Sequence, residues 1–473
     1  MASRSARPSI ACSRRDWFGH AQNGLMAIAL SQLASDSLLA QSIDASTDKA
    51  PHHQSRAKAV IQLYMQGGPS QMDLLDPKPL LAKYEGKPFP RSIDVQQTNE
   101  AGGVLPSPFE FAQYGESGIE VSELLPHLAK RVDDLTIIRS MHTEHINHEP
   151  AMWMFNTGET IPGRPGMGSW ISYGLGAECD DLPAFVVLDD PKGLPVDGIR
   201  NWSSGWLPPN YQGTRLRSEG AAVWNLQPFT SRPVQVLEAR RRLLHQLDQH
   251  HRETHPGELE LDARIASYEL AARMQLSATE ALDLNKESEF TRSSYGLDHS
   301  RTASFGRRCL MARRLVERGV RFIQIYVDGG GWDHHSKIKE GLIERCGQTD
   351  QPIAALLKDL SERGLLDETL VIWGGEFGRL PISQSNDGRD HNNRGYTIWL
   401  AGGGTRRGYV HGSTDEFGYA AVDMPVGMRD LHATILHLLG IDHRRLVFHR
   451  NGLDERLTGV HHPNVVHELI QSS

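Results

Sequence analysis

The stretch "GVRFIQIYVDGGGWDHHSK", residues 319–337, decides the fold because an apolar strand runs into glycines and then into three ionisable side chains. Residues 320–327 are rich in valine, isoleucine and aromatic residues, which predicts a buried strand. Asp333, His334 and His335 follow the glycines after one residue, Trp332. Such a strand tip in an α/β protein is a place where functional groups gather, at the carboxyl end of the sheet.

The same order of elements recurs outward from this stretch. A helical pattern at 307–319 precedes the strand at 320–327. A second helical pattern, at 350–367, precedes the strand "ETLVIWGG" at 368–375. Further short apolar strands are "AVIQLYM", "DDLTIIRSM", "PAFVVL" and "YTIWLAGGG", and a last helix is "DLHATILHLLGI". Helices alternating with strands predict an α/β fold with a mostly parallel central sheet and helices on both faces. The polar, helical stretch at about 233–290 predicts a helical insertion.

The bulk composition and the N-terminus limit which class of protein this can be. The chain has 473 residues and a net charge of −8 with both signs interspersed, which excludes the basic face of a nucleic-acid binder. Residues 13–42 carry paired arginines before Trp17-Phe18 and then a short apolar run, and so resemble a twin-arginine export signal. The alternative is a chance arginine pair before a first helix. We predict a signal segment over 1–40, a linker over 41–56 and one domain over 57–473.

This organisation places the protein in the periplasm or otherwise outside the cytoplasm, with the twin-arginine export machinery as a partner. The apolar run after the arginines is too short for a stable membrane span. We expect no transmembrane span in the mature chain.

Acidic and imidazole side chains follow several of the predicted strands. If the sheet is parallel, these strand tips converge, and their side chains would repel each other or lack partners without a cation. Mixed nitrogen and carboxylate ligands favour zinc or manganese, with iron or calcium as alternatives. The predicted metal ligands are Asp73, His145, His148, Asp333, His334, His335, Glu376, Asp390 and His391.

Structural roles compete with several of these assignments. Glu376 could instead cap the next helix, and Asp73 could be a turn residue. His334 and His335 cannot both face the same way, since adjacent residues on an extended chain point to opposite sides.

The segment "NHEPAMWMFNTG", residues 147–158, predicts a helix that begins near His148 and ends before Gly158. Its free N–H groups would then point at the cleft and suit a sulfate- or phosphate-like anion. Arg164 and Arg379 are further candidate donors to such an oxyanion, or else are solvated.

Long motifs carry a family resemblance over nearly all of residues 15–465. The segments "MHTEHINHEPAMWMFNTG", "GRPGMGSWISYGLG", "GGWDHH", "WGGEFGR", "GRDHNNRG" and "TDEFGYAA" resemble the bacterial exported domain-of-unknown-function family 1501. That family is regarded as a relative of sulfatases in the alkaline phosphatase superfamily. The resemblance implies a sulfatase-like fold and a metal-dependent hydrolase of sulfate or phosphate esters.

The resemblance also assigns roles, and it shows departures from the sulfatase pattern. Pro150, Thr157 and Gly158 match the sulfatase nucleophile motif, but His148 stands where the nucleophile would be. Glu376 matches a metal ligand and His391 a later one, while Asp73 is a tentative substitute for the paired aspartates of the first strand. Ser70 is an alternative nucleophile.

We therefore predict that metal-activated water attacks the ester. The catalytic candidates are His148, Ser70, Arg164 and Arg379. The expected partner is an anionic small molecule or a glycan ester, without nucleic acid. The alternative is a catalytically inactive sulfatase-like protein that binds anionic glycans or serves in the cell envelope.

Overall fold

The computed structural model describes residues 50–96, 100–220, 223, 234–255, 258–328 and 330–472. The predicted signal segment 1–40 lies outside the described residues, and so do residues 41–49 of the predicted linker. The strands are β1 (Ala59–Tyr64), β2 (Ala101–Val104), β3 (Phe111–Tyr114), β4 (Ile119–Ser122), β5 (Leu135–His142), β6 (Phe185–Leu188), β7 (Thr214–Arg215), β8 (Phe322–Tyr326), β9 (Thr369–Gly374), β10 (Gly378–Arg379), β11 (Ile382–Gln384), β12 (His391–Asn392), β13 (Tyr396–Ala401), β14 (Tyr409–His411), β15 (Ser413–Thr414), β16 (Ala421–Asp423), β17 (Val426–Gly427), β18 (Phe448–Arg450) and β19 (Leu453–Glu455).

Helices fill most of the connections between these strands. They are α1 (Gln71–Leu74), α2 (Leu80–Lys83), α3 (His148–Thr157), α4 (Met167–Leu175), α5 (Val234–Thr254), α6 (Leu259–Leu282), α7 (Glu289–Ser294), α8 (Ala303–Val316), α9 (Ile338–Glu362) and α10 (Met428–Leu438). Short 3-10 helices cover Leu128–Asp134, Gly198–Trp202, Pro209–Tyr211, Leu284–Lys286, Leu366–Glu368 and His467–Leu469.

The central sheet has nine strands in the order β14-β5-β13-β9-β1-β8-β6-β7, with β17 beside β5. Strand β1 pairs in parallel with β8 on one side and β9 on the other. Strand β13 runs antiparallel to both β5 and β9. The predicted α/β fold with a mostly parallel sheet is confirmed, and β13 is the strand of this sheet that runs against its neighbours.

Side chains alternate between the two faces of the sheet, and each face is covered by helices. On one face Ile61 and Ile323 pack in a core with residues of α8 and α9. On the other face Val60 and Phe322 pack in a core with residues of α3, α4 and α10. Both faces are apolar, as expected for a parallel sheet buried on both sides.

Helix α3 begins at His148, and its end at Thr157 is followed by Gly158 in the left-handed conformation with φ 78°. The predicted start and end of this helix are therefore confirmed. A side chain at 158 would be strained by that φ, and its Cβ would lie 2.2 Å from the carbonyl oxygen of Leu457. Glycine is the residue that satisfies both constraints.

The stretch predicted as a helical insertion contains α5 and α6, which are long helices of 21 and 24 residues. Neither of them, nor any other helix in the described ranges, is long and apolar enough to cross a membrane.

Candidate metal centre

Four segments that are distant in sequence meet at the carboxyl edge of the sheet. His148 opens α3 after β5, Asp333 and His335 follow β8, and Glu376 follows β9. His391 lies in β12, which pairs with β10 so that Arg379 and His391 are opposite each other. We call the group Asp333, His148, His335 and His391 the Asp333 cluster.

Asp333 is the centre of this cluster. Its Oδ1 lies 2.9 Å from His335 Nε2 and 3.1 Å from His391 Nε2, and its Oδ2 lies 3.2 Å from His148 Nε2. Burial alone would raise the pKa of the Asp333 carboxyl, but its contacts with the imidazoles of His148, His335 and His391, together with the charge of Arg379, outweigh burial and hold that pKa well below its usual range. Asp333 is therefore an anion towards which three imidazole nitrogens converge.

Each of the three histidines has its other ring nitrogen bound to an acceptor outside the cluster. Nδ1 of His148 lies 2.7 Å from Glu376 Oε1, Nδ1 of His391 lies 2.8 Å from a backbone carbonyl oxygen, and Nδ1 of His335 lies 2.6 Å from an amide oxygen. A carbonyl or carboxylate oxygen accepts, so Nδ1 carries the hydrogen in each ring. The neutral tautomer then presents a lone pair at Nε2, towards Asp333.

His391 shows most clearly why this arrangement favours a bound cation. Its Nδ1 donates to the Ile146 carbonyl, which leaves Nε2 without a hydrogen in the neutral ring, 3.1 Å from Asp333 Oδ1. The pKa of His391 is lowered to about 4: burial is the main cause, Arg379 and His148 act in the same direction, and the Asp333 contact opposes them. At neutral pH a lone pair therefore faces a carboxylate oxygen, which is repulsive unless a cation lies between them.

His148 lies between two carboxylates, Glu376 and Asp333. Burial would lower its pKa, but its contacts with Asp333 and Glu376 raise the pKa to about 9. The pKa of His335 is also raised, chiefly by its hydrogen bond to Asp333. In the absence of a cation, these two rings take up the protons that balance the carboxylates.

Glu376 is fully buried and serves as the outer partner of His148. Its Oε1 accepts from the Gly67 N–H at 3.0 Å, and its Oε2 accepts from the Tyr64 hydroxyl at 3.1 Å. Burial raises the pKa of that hydroxyl, and the charge of Glu376 raises it further. Gly67 has φ +114°, and a Cβ there would lie 2.5 Å from the Asp333 backbone nitrogen. Gly67 therefore lets the ends of β1 and β8 approach each other closely.

Arg379 ties the loops of the site together and is fully enclosed. Its guanidinium donates to Asp333 Oδ1 at 2.6 Å, to the Gly68 carbonyl at 2.9 Å and to the Arg389 carbonyl at 3.0 Å. It also donates to the carbonyls of Gly67 and Trp332. These bonds occupy the guanidinium, and the structure does not present it to an oxyanion.

The two adjacent histidines point to opposite sides, as an extended chain requires. His335 joins the cluster, whereas the His334 ring packs against α9, where a Cβ at Gly341 would lie 2.2 Å from the His334 ring. Burial, with the charges of Arg379 and Arg345 acting in the same direction, lowers the pKa of His334 to about 4. His334 is thus a packed, neutral residue outside the cluster.

Several other predicted site residues lie elsewhere. Ser70 donates to Asp73 Oδ2 at 2.5 Å, and the Asp73 carboxylate pairs with Arg389 at 2.8 Å, all three being buried. Arg164 pairs with Glu455 at 3.3 Å. The structure does not bring Ser70, Asp73 or Arg164 into the cluster.

Two predicted residues border the cluster without joining its centre. His145 Nδ1 accepts from the Asn147 N–H at 3.0 Å within its own loop. Asp390 accepts from its neighbour's N–H and lies 3.9 Å from His335 Nδ1. Asp390, His335 and His391 nevertheless bring ligand atoms close enough to hold a metal ion, as do His148, Asp333 and His391.

The sequence did not point to Tyr64 or Gln384, which complete the site. Tyr64 reads as a core strand residue, and Gln384, the acceptor for His335 Nδ1, follows no recognisable motif. The Gly67-Gly68 pair was a usable signal, because glycines after a strand allow a close backbone approach. Phe377 adds an apolar wall, its ring centre 5.0 Å from that of His148 and 4.4 Å from that of His391.

The donor set fits a divalent cation. Three neutral imidazoles and a carboxylate are ligands of zinc, manganese and iron. Asp333, Glu376 and Asp390 contribute three negative charges and Arg379 one positive charge, so the site with neutral imidazoles has a charge of about −2. One divalent cation, or protons on His148 and His335, would balance that charge.

Comparisons with known proteins confirm the family resemblance. The sequence model of the family described as "Protein of unknown function (DUF1501)" matches residues 57–470. No curated protein matches the sequence.

Solved structures of sulfatases and of other alkaline phosphatase superfamily members are similar to the chain in fold. The lipoteichoic acid synthase LtaP from Listeria monocytogenes is 9% identical, with a TM-score of 0.37, covering 88% of this chain and 80% of that one. The phosphonate monoester hydrolase SpPMH from Silicibacter pomeroyi is 11% identical, with a TM-score of 0.35 and coverages of 82% and 73%. The PsFucS1 sulfatase from Pseudoalteromonas sp. is 12% identical, with a TM-score of 0.35 and coverages of 82% and 68%.

Proposed function

The chain belongs to the family described as "Protein of unknown function (DUF1501)", and we propose that it is an exported metal-dependent hydrolase of sulfate or phosphate esters. The proposed cation is a single zinc or manganese ion. Its ligands are Asp333 and the Nε2 atoms of His148, His335 and His391.

One observation carries the proposal. All three imidazoles direct Nε2 at the Asp333 carboxylate while Nδ1 is held by an outer acceptor. Histidines that bind metals in proteins are held in this way, since the outer hydrogen bond fixes the tautomer and the ring orientation. Without a cation the carboxylate can only accept, so each Nε2 would have to carry a hydrogen as well.

A divalent cation bound there would supply a Lewis acid that stabilises negative charge on an ester oxygen and lowers the pKa of a water molecule. The chain positions that chemistry with its own residues. Arg379 fixes the Asp333 carboxylate and Glu376 fixes the His148 ring. The exposed fractions of the His148, Asp333 and His335 side chains are 19%, 24% and 30%, whereas that of Glu376 is 0%. A ligand therefore reaches the cluster from the His148 and His335 side.

An anionic ester group has a binding place beside the cluster, at the N-terminus of α3. The N-cap residue Asn147 makes no side-chain bond to the helix, and its Oδ1 accepts instead from the Gln96 side chain. The first N–H groups of α3 are thus not capped by Asn147, and they carry the positive end of the helix dipole. Sulfate and phosphate esters match both this anion site and the cation beside it.

The reaction we propose does not use a covalent ester intermediate. Among the described residues, the hydroxyl that contacts the site belongs to Tyr64, and its raised pKa makes it a poor nucleophile. Ser70 donates its hydrogen to Asp73 instead. Direct attack of water on the ester is the chemistry that remains.

Metal analysis with a matched pair of variants tests the proposal. The purified chain should hold about one zinc or manganese per molecule, and a chromogenic sulfate or phosphate ester should turn over until a chelator removes the metal. His335→Gln should weaken metal binding by at least about tenfold, because it removes one ligand. His334→Gln should leave it unchanged, since that ring packs on α9. A chain that takes up no metal after careful loading overturns the proposal.

A second candidate is a protein that binds anionic glycans without turning them over. The observation that favours it is the enclosed Arg379: its guanidinium, beside the Asp333 cluster, is bonded to Asp333 and to backbone carbonyls and is not left to stabilise a developing oxyanion. It predicts calorimetric binding of a sulfated oligosaccharide that survives His148→Ala, with no product. Product formation from any such ligand would exclude this candidate.

Export through the twin-arginine route belongs to the same proposal. Residues 1–40 fused to a reporter that folds in the cytoplasm should carry it across the membrane. Replacing Arg14 and Arg15 by lysine should block that export.

A further inference from the structure

Helix α5 carries an apolar stripe on its exposed surface. Val236, Leu243, Leu244 and Leu247 are 46%, 56%, 49% and 56% exposed. Spacings of seven and four residues put Val236, Leu243 and Leu247 on one face of a helix, with Leu244 beside it. Scattered apolar residues are common on protein surfaces, but four on one face of one helix mark an interaction site.

The neighbouring helix does not cover this stripe. α6 contacts α5 through the ion pairs His245–Glu269 at 3.0 Å and Arg252–Asp262 at 2.8 Å. At 3.6 residues per turn, His245 and Arg252 lie about 160 to 180° around the helix from Val236. The stripe therefore faces away from α6.

The charges around the stripe decide what kind of partner fits it. Arg240 lies four residues after Val236 and three before Leu243, so it projects from within the stripe. Neither Arg240 nor Arg242 forms an ion pair with any residue that the structure describes. The acidic residues of α5 lie at the sides or back of the helix. Arg240 lies within the stripe and Arg242 at its flank, about 120° around the helix from Val236. Unpaired cations in these two places suit an anionic surface.

A second copy of the chain fits the stripe less well. Symmetric pairing would bring two identical stripes together, and each would place an Arg240 against the other's apolar side chains or cations. No acidic residue of the stripe would meet these arginines.

We propose that α5 docks on an anionic lipid surface. The four aliphatic side chains would enter the boundary between headgroups and acyl chains. Arg240 and Arg242 would keep their guanidinium groups among the lipid phosphates while their stems cover apolar surface. The proposal is independent of ester hydrolysis, since no residue of the Asp333 cluster lies on α5.

Vesicle co-sedimentation of the full chain tests this docking. Vesicles of phosphatidylcholine with about 30% phosphatidylglycerol should bind the chain, and pure phosphatidylcholine should bind it much more weakly. Leu243→Gln with Leu247→Gln should lower binding to the anionic vesicles at least tenfold. Arg240→Gln with Arg242→Gln should lower it by about 25-fold at low salt, at about fivefold for each basic residue near the surface.

A matched control and a second measurement keep the outcomes distinct. Leu453→Gln removes a 63% exposed leucine from β19, far from α5 in sequence, and should leave vesicle binding unchanged. Thermal melts of all variants should match the parent, because the replaced side chains are exposed. Equal binding to neutral vesicles, or binding that survives the double leucine variant, overturns the proposal. A dimer in sedimentation velocity that the same leucine variant dissociates, without vesicle binding, also overturns it.

Discussion

Protons and a divalent cation should compete for the Asp333 cluster, and the pH dependence of metal affinity measures that competition. The cation binds the lone pair of His148 Nε2, which is available only in the neutral ring. The carboxylates of Glu376 and Asp333, one on either side of the ring, favour its protonated form instead. Metal binding at neutral pH must therefore expel a proton from His148, and the raised pKa of His335 adds to the effect.

The magnitude follows from the pKa of His148, which is about 9. At pH 7 that ring is protonated in about 99% of molecules, so displacing its proton weakens the apparent metal affinity about 50-fold relative to pH 9 and about 100-fold relative to the fully neutral ring. This corresponds to about 2.7 kcal/mol. His391, whose pKa is lowered to about 4, is already neutral throughout this range and contributes nothing to the change.

Competition against a chelator of known zinc affinity, corrected for hydrolysis of the free ion, gives the affinity at each pH. Calorimetry in two buffers with different ionisation enthalpies counts the protons released at pH 7, and we expect between one and two. Glu376→Gln keeps the shape of the side chain but removes its charge, so it should flatten the pH dependence. His334→Gln is the control and should keep it.

Two results would refute this reasoning. The first is a zinc affinity that changes less than threefold between pH 7 and pH 9 in the parent chain. The second is an unchanged slope in Glu376→Gln, because the charge of Glu376 would then have no part in holding the proton on His148.

Three further predictions concern the stability of the metal-free chain. The pKa of His148 is about 9 when folded and 6.5 when unfolded, so its contribution of about 3 kcal/mol is complete below about pH 6.5 and is lost as pH rises through about 9. Urea unfolding from pH 6 to 9.5 measures this loss, which His148→Gln should abolish. Arg379→Met should cost about 3 to 5 kcal/mol in the same assay, because it leaves Asp333 without its buried guanidinium partner; a loss below 1 kcal/mol would contradict the role of Arg379. Gly67→Ala should lower the melting temperature and weaken metal binding, since alanine is strained at φ +114° and its Cβ would strike the Asp333 backbone; unaltered zinc affinity would show that the loop approach does not matter.

The fold was predictable because its signals are local. Apolar strands such as 59–65 and 320–327 end at glycine, and helical patterns lie between several of them. The antiparallel direction of β13 was not predictable from its composition, which is as apolar as that of β9. Direction depends on the length and course of the preceding connection, and a strand pattern does not encode these.

The candidate site was predictable only in part, because strand tips can be found but their partners cannot. Asp333, Glu376 and His391 each follow a recognisable strand or motif, and the structure brings them together. Arg379 and Asp73 were also candidates for the site, but Arg379 bonds to Asp333 and to backbone carbonyls, and Asp73 pairs with the buried Arg389. Arg389 is 316 residues from Asp73, and neither local segment contains a pattern that predicts their pairing.

The choice between His334 and His335 shows how backbone packing selects a ligand that sequence leaves ambiguous. Alternation along an extended chain requires one ring to face each side, but it does not say which. Gly388 and Gly341 decide which of the two rings faces the cluster. A Cβ at Gly388 would lie 2.0 Å from the carbonyl carbon of His335, so only glycine lets that strand segment approach from the cluster side. Gly341 leaves the space on α9 that the His334 ring fills. The register of Asp333 and His335 with His391 therefore depends on the absence of side chains at two distant positions, and an alanine at either one should disturb the Nε2 geometry without replacing a ligand.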